Sequence, residues 1–165
     1  MARQFDYNYG VAKLELGYRN DDEIDCCFVE QQSIYAKNIS FCQKFPFINC
    51  TGIRFENCIM FAIPSSISIT KTFPNLTVFS IHDSKLSKIT SEDLKGYDCL
   101  RDLYIINCEI EYLPGDLFKH TPNLEIISFQ NNKIKYIDED ILEPMQNLKI
   151  FDLSESKASV KYDII

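Results

Sequence analysis

The stretch LRDLYIINCEIEYLPGDLF (residues 100–118) is followed, after five residues, by LEIISFQNNKIKYIDEDIL (124–142). Laid over one another at an offset of 24 residues, their apolar positions coincide. Leu100, Leu103, Ile105, Cys108, Ile110 and Leu113 fall on Leu124, Ile127, Phe129, Asn132, Ile134 and Ile137. Working outward, the same template fits Leu76, Phe79, Ile81, Ser84, Leu86 and Ile89 upstream. Leu148 opens a further unit through Phe151, Leu153, Ser156 and Ala158, which meets Lys161 where an aliphatic residue is due. Cys50, Ile53, Phe55, Cys58, Met60 and Ile63 recover an earlier unit, 26 residues long. A fixed period of this length predicts stacked units that share one continuous core, a solenoid.

The pattern has a direct physical reading. Alternation around the fourth and sixth positions is that of a strand with one face buried. Successive units then pair their strands in parallel, joined by return segments. At the ninth position the chain turns, and a buried side chain has to satisfy the backbone groups left over there. That column is Cys58, Ser84, Cys108, Asn132 and Ser156. A second apolar column, Leu94, Phe118 and Leu142, is expected on the convex side. It lies in short helical or 3₁₀ turns with acidic starts such as Asp138, Glu139 and Asp140, suited to a helix N-terminus. The expected fold is an α/β solenoid.

Residues 1–49 fit the template poorly, and their strand-like segments predict an N-terminal β cap over the open edge of the first unit. Residues 50–165 form the repeats, in units starting at 50, 76, 100, 124 and 148, the last of them partial. Cys26, Cys27, Cys42 and Cys50 crowd the N-terminal third. They suit a disulfide-stapled cap in an oxidising compartment, or else buried thiols. Sequons stand at Asn38, Asn49 and Asn75. No signal-peptide core precedes them and no cysteine-bearing segment closes the array, so the chain is expected to be a piece of a longer protein. The net charge of −7 and the lack of any Lys/Arg run argue against nucleic-acid or anionic-membrane binding. No apolar run approaches the ~20 residues of a membrane span.

The phrase LRDLYIINCEI from Leu100 resembles the leucine-rich repeat. The 24-residue period, with Leu113-Pro114 and the late Phe118, is similar to the typical extracellular subclass of Toll-like and Slit-like ectodomains, and to secreted or surface immune proteins of insects. The resemblance covers roughly residues 50–158. It implies a right-handed horseshoe arc whose concave parallel sheet binds a ligand, often a protein, in immunity, adhesion or development. It implies an extracellular place if a leader precedes the chain. An intracellular scaffold with reduced cysteines is the alternative.

On such a sheet the exposed positions form columns. One is Arg54, Ser80, Tyr104, Ser128 and Asp152. The next is Glu56, His82, Ile106, Gln130 and Ser154, and the third is Asn57, Asp83, Asn107, Asn131 and Glu155. Strands about 4.8 Å apart spread five units over roughly 20 Å. Tyr104 and Ile106, central and ringed by polar groups, have the make-up of an interface hot spot. The expected ligand contacts are Arg54, Glu56, Ser80, His82, Asp83, Tyr104, Ile106, Asn107, Ser128, Gln130 and Asp152. His82 lies near Glu56 and Asp83, which could tune its protonation for a pH-sensitive contact, but a plain surface histidine is the favoured reading. His120 falls in an exposed return segment. No nucleophile elbow, phosphate-binding loop or metal-ligand spacing is present, so neither catalysis, nor a metal, nor a cofactor is expected.

Overall fold

The structure is a computed structural model. It describes residues 51–71 and 73–156, together with the backbone of three short strands, β1 (Leu14–Leu16), β2 (Cys26–Glu30) and β3 (Ser33–Ile34). The strands expected of the repeats are β4 (Gly52–Glu56), β6 (Val78–His82), β7 (Asp102–Ile106), β9 (Ile126–Ser128) and β11 (Ile150–Asp152). They form one sheet in the order β1-β2-β4-β6-β7-β9-β11. Every pairing is parallel except β1 on β2. Two short parallel pairs lie apart from it. One joins β3 to β5 (Ile59–Met60), the other β8 (Tyr112–Leu113) to β10 (Tyr136–Ile137).

One hydrogen-bond motif repeats along the sheet. The carbonyl of Thr51 accepts the N–H groups of Thr77 and Val78, at 2.7 and 3.0 Å. The carbonyls of Thr77, Arg101 and Glu125 each accept the equivalent two N–H groups of the next unit. Leu76, Leu100 and Leu124 sit at the same rung and are buried. The period of the sequence is thus the period of the backbone ladder, and the fold is a solenoid.

The ninth-position column does what its chemistry allows. Asn132 is 3 % exposed; its Nδ2 donates to the carbonyls of Ile105 (2.7 Å) and Phe129 (2.9 Å), and its Oδ1 accepts from the Ile110 N–H (3.1 Å). Ser84 Oγ donates to the Cys58 carbonyl (2.7 Å) and accepts from the Met60 N–H (3.2 Å). Cys108 and Cys58 make Sγ contacts to the carbonyls of Ile106 and Glu56. Ser156 Oγ donates to the Phe129 carbonyl. Burial pushes the Cys108 thiol up to about 11, so it stays protonated and inert at neutral pH.

Three short helical turns lie in the return segments. They are α1 (Ser66–Thr70), α2 (Ser91–Leu94) and the 3₁₀ turn η1 (Glu139–Leu142). α2 starts on a capping box, Thr90 with Asp93. Gly96 follows it at φ +86°, and a Cβ there would strike Ser66 of the neighbouring unit. Leu94 and Phe118 are buried as expected, but Leu142 is 38 % exposed and Ile141 takes the core position. A 3₁₀ turn advances ~20° more per residue than an α-turn, which changes the residue that faces inward.

The parallel register runs one strand further upstream than the template. β2 pairs with β4, and β3 with β5, each at an offset of 26 residues. Cys27 and Val29 therefore stand opposite Ile53 and Phe55 as one more rung. β1 lies antiparallel on β2 at that end of the sheet. Cys42, Cys50, Asn38, Asn49 and residues 157–165 lie outside the described residues, as do the side chains of Cys26 and Cys27.

Candidate binding face

The ladder register fixes which side chains share the face turned away from the core. Arg54 pairs with Ser80, Ser80 with Tyr104, Tyr104 with Ser128 and Ser128 with Asp152. Glu56, His82 and Ile106 form the adjoining row, continued by Gln130 and Ser154 beyond the ends of β9 and β11. Strand alternation adds a row that the sequence reading left out: Gly52, Val78, Asp102, Ile126 and Ile150. These stand two residues before the first row and hence on the same face. Ile150 is half exposed, and Val78 and Ile126 are partly so.

Two of the expected contact positions are almost closed to solvent. Ser80 and Ser128 are only 6 % and 5 % exposed. Each is a short side chain standing between longer neighbours on its row, Arg54 and Tyr104 for Ser80, Tyr104 and Asp152 for Ser128. Tyr104 and Ile106 remain partly open at the centre. Burial, with Asp102 nearby, raises the Tyr104 phenol above its usual range, so it stays neutral.

Asn57, Asp83, Asn107, Asn131 and Glu155 all take left-handed backbone, with φ between 51° and 57°. This is the turn that ends each strand, and Asn and Asp tolerate it better than other side chains. Asn131 Nδ2 donates to Asn107 Oδ1 (2.8 Å), and Asn107 Nδ2 donates to Asp83 Oδ1 (2.9 Å). Asp83 and Asn107 are exposed, yet part of their bonding is spent on this ladder. The Asx-rich column was a readable sign of left-handed turns.

At one end of the face sits a small polar cluster. Arg54 Nη2 lies 3.4 Å from His82 Nδ1, His82 Nε2 lies 2.6 Å from Ser80 Oγ, and Arg54 Nε lies 3.2 Å from Glu56. Arginine can only donate, so Nδ1 accepts and Nε2 carries the proton toward Ser80. In that tautomer His82 cannot take a proton from Ser80. Desolvation and the Arg54 charge hold the His82 pKa below the usual value, against the opposing pull of Glu56 and Asp83. His120, expected to be exposed, is half-buried with Nε2 3.5 Å from Glu92.

Of the modification and cysteine positions, Asn75 is exposed in the turn before β6. Cys58 and Cys108 are buried thiols and Cys99 an exposed one. Among the described residues there is no cluster that could hold a metal, and no helix long and apolar enough to cross a membrane.

Residues 100–157 match the family described as Leucine rich repeat. No curated protein matches the chain in sequence. Among solved structures, the chain is similar to the Toll–Spatzle complex of Drosophila (TM-score 0.61, 19 % identity). It is equally similar to the TLR13–ssRNA13 complex (TM-score 0.61, 17 % identity). The alignments cover 72 % and 78 % of this chain but only 17 % and 18 % of those chains. The likeness is one of fold.

Proposed function

With residues 100–157 matching the leucine-rich-repeat family, we propose that the chain is a non-enzymatic recognition module that binds a protein through its concave sheet. The observation that carries this reading is the three-row face with Tyr104 and Ile106 partly open at its centre. An aromatic and an aliphatic anchor inside a polar rim is how interfaces concentrate their binding energy. The Toll structure is a complex with Spatzle, which favours a protein ligand; the TLR13 structure holds RNA. The net charge of −7 and the carboxylates Glu56, Asp102 and Asp152 on the face disfavour a phosphate backbone here. Arg54, Glu56, His82, Asp83, Asn107, Gln130 and Asp152 frame the anchors.

We further propose an extracellular location, supported by the exposed Asn75 sequon and the four clustered N-terminal cysteines. Cys99, an exposed free thiol, is the feature that favours the intracellular alternative. Cross-linking followed by peptide mass spectrometry on protein from its native host tests the binding reading. Partner cross-links should map to the concave rows, vanish in a Tyr104→Ala/Ile106→Ala variant and survive Lys119→Ala on the opposite side. Cross-links that persist in the concave variant, or that carry only RNA, would refute it. The same sample mapped without reduction should show a glycan at Asn75 and disulfides among Cys26, Cys27, Cys42 and Cys50. Free thiols and bare Asn75 would favour the intracellular scaffold.

A further inference from the structure

On the concave face one half-buried carboxylate stands apart; Glu155, also without a partner among the described residues, is exposed in the last turn. Glu56 is held by Arg54, Asp83 accepts from Asn107, and Asp152 accepts from the Ser154 N–H. Asp102 has no such partner: among the described residues it accepts no hydrogen bond and pairs with no cation. The two cations nearest in sequence and register, Arg101 and Lys149, both close on Glu125 at 2.6 Å instead. Asp102 sits at mid-sheet between Val78 and Ile126 on its row, with Ile150 one strand further and Tyr104 next along its own strand. It is half-buried, and that burial, with Glu125 nearby, raises its pKa against the pull of Arg101 and Lys149. A carboxylate stripped of part of its water and given nothing in return is a poor contributor to the fold. It is a good contributor to an interface, where an incoming cation supplies a charge-assisted hydrogen bond.

We propose that Asp102 anchors a Lys or Arg side chain of the protein ligand, and that the recognised segment carries this cation flanked by apolar residues. The inference rests on the concave sheet being the binding face. The surroundings fit such a side chain along its whole length. Val78, Ile126 and Ile150 offer aliphatic surface to its methylene stem. Tyr104 presents a ring to its charge. An acidic segment or a phosphate backbone would meet Asp102, Asp152 and Glu56 with like charge.

Selection of a phage-displayed random peptide library on the full chain tests this. Chosen peptides are then titrated against the wild type, Asp102→Asn and Tyr104→Ala. The expected peptides carry Lys or Arg beside aliphatic or aromatic residues. They should bind Asp102→Asn at least about tenfold more weakly, and replacing the peptide's cation by Gln should then cost that variant little more. An unchanged urea midpoint in Asp102→Asn separates this from unfolding. Peptides lost on Tyr104→Ala but indifferent to Asp102→Asn, or without a cation, would overturn the Asp102 assignment and leave the concave reading standing. No binders, or binders that ignore Tyr104→Ala, would overturn both, as would a single-stranded RNA oligonucleotide that competes at this face.

Discussion

The units before residue 100 and those after it hold the same ladder by different means. In the earlier part the core is aromatic. Phe79 lies between Phe55 and Tyr97, with ring centroids 5.7 and 5.3 Å away. The Tyr97 hydroxyl donates to the buried Pro64 carbonyl at 2.8 Å. The turn positions there are Cys58, with a thiol contact to the Glu56 carbonyl, and Ser84, whose hydroxyl serves the Cys58 carbonyl and the Met60 N–H, and the unit from Cys50 runs two residues long. In the later part Asn132 ties two units together by itself. Ion pairs at the 24-residue spacing flank the sheet from Lys85 onward, Lys85–Glu109–Lys133 and Arg101–Glu125–Lys149. Exposed pairs of this kind contribute little stability each. The difference teaches that the period survives changes in how the turn backbone is satisfied: 24 residues separate Leu76, Leu100, Leu124 and Leu148 across Ser84, Cys108 and Asn132, and the unit from Cys50, beside the aromatic cluster, runs to 26.

The comparison can be broken at its aromatic end first. Phe79→Ala should cost about 3–5 kcal/mol, because it removes a fully buried ring and its contacts with two tilted aromatic neighbours. A urea midpoint that falls by much less would mean that the earlier units are not held by this cluster. The second cut is at the turn column. Asn132→Ala should cost roughly 2–3 kcal/mol, since it leaves several buried backbone groups without partners. Cys108→Ala, which removes weak sulfur contacts only, should cost about 1 kcal/mol. Equal losses in thermal unfolding would show that residue type at this column is immaterial.

The smallest expected effect concerns His82 in the earlier part. Its folded pKa lies below the unfolded value near 6.5, so the unfolded chain binds more protons as the pH falls through that window. Stability should therefore drop between about pH 6.5 and the lower folded pKa, then level off. The charged groups facing it are Arg54 and Glu56 on β4 and Asp83 in its own turn, with the neutral phenol of Tyr104 on β7. Replacing His82 by Gln should flatten that part of the urea-midpoint profile. A profile unchanged in His82→Gln would place the acid sensitivity elsewhere.

Much of this was legible in the sequence, for reasons that differ by residue. Leu76, Leu100 and Leu124 recur because every unit must fill the same hole. Asn132 could be read as a turn residue because only an amide both donates and accepts there. Less regular features escaped. The rung at Cys27 and Val29 is apolar too weakly to stand out from the segment before Cys50. Ile141 replaced Leu142 in the core because the choice between α and 3₁₀ winding is made by packing. Glu155 takes the left-handed turn that Asn and Asp fill elsewhere, held by its place in the ladder rather than by preference.

The sequence by itself determined the period, the parallel ladder it implies, the turn column and the two rows centred on Tyr104 and Ile106, because these follow from burying one face of a repeated strand. Tertiary structure alone decided what those rows offer a partner. It sank Ser80 and Ser128 between longer side chains, and it spent part of Asp83 and Asn107 on an amide ladder. It drew Arg101 and Lys149 onto Glu125 and left Asp102 without a partner among the described residues, in the middle of the face. Such allocations depend on which polar atoms come within about 3 Å across strands, and distance between units is set only once the chain has stacked.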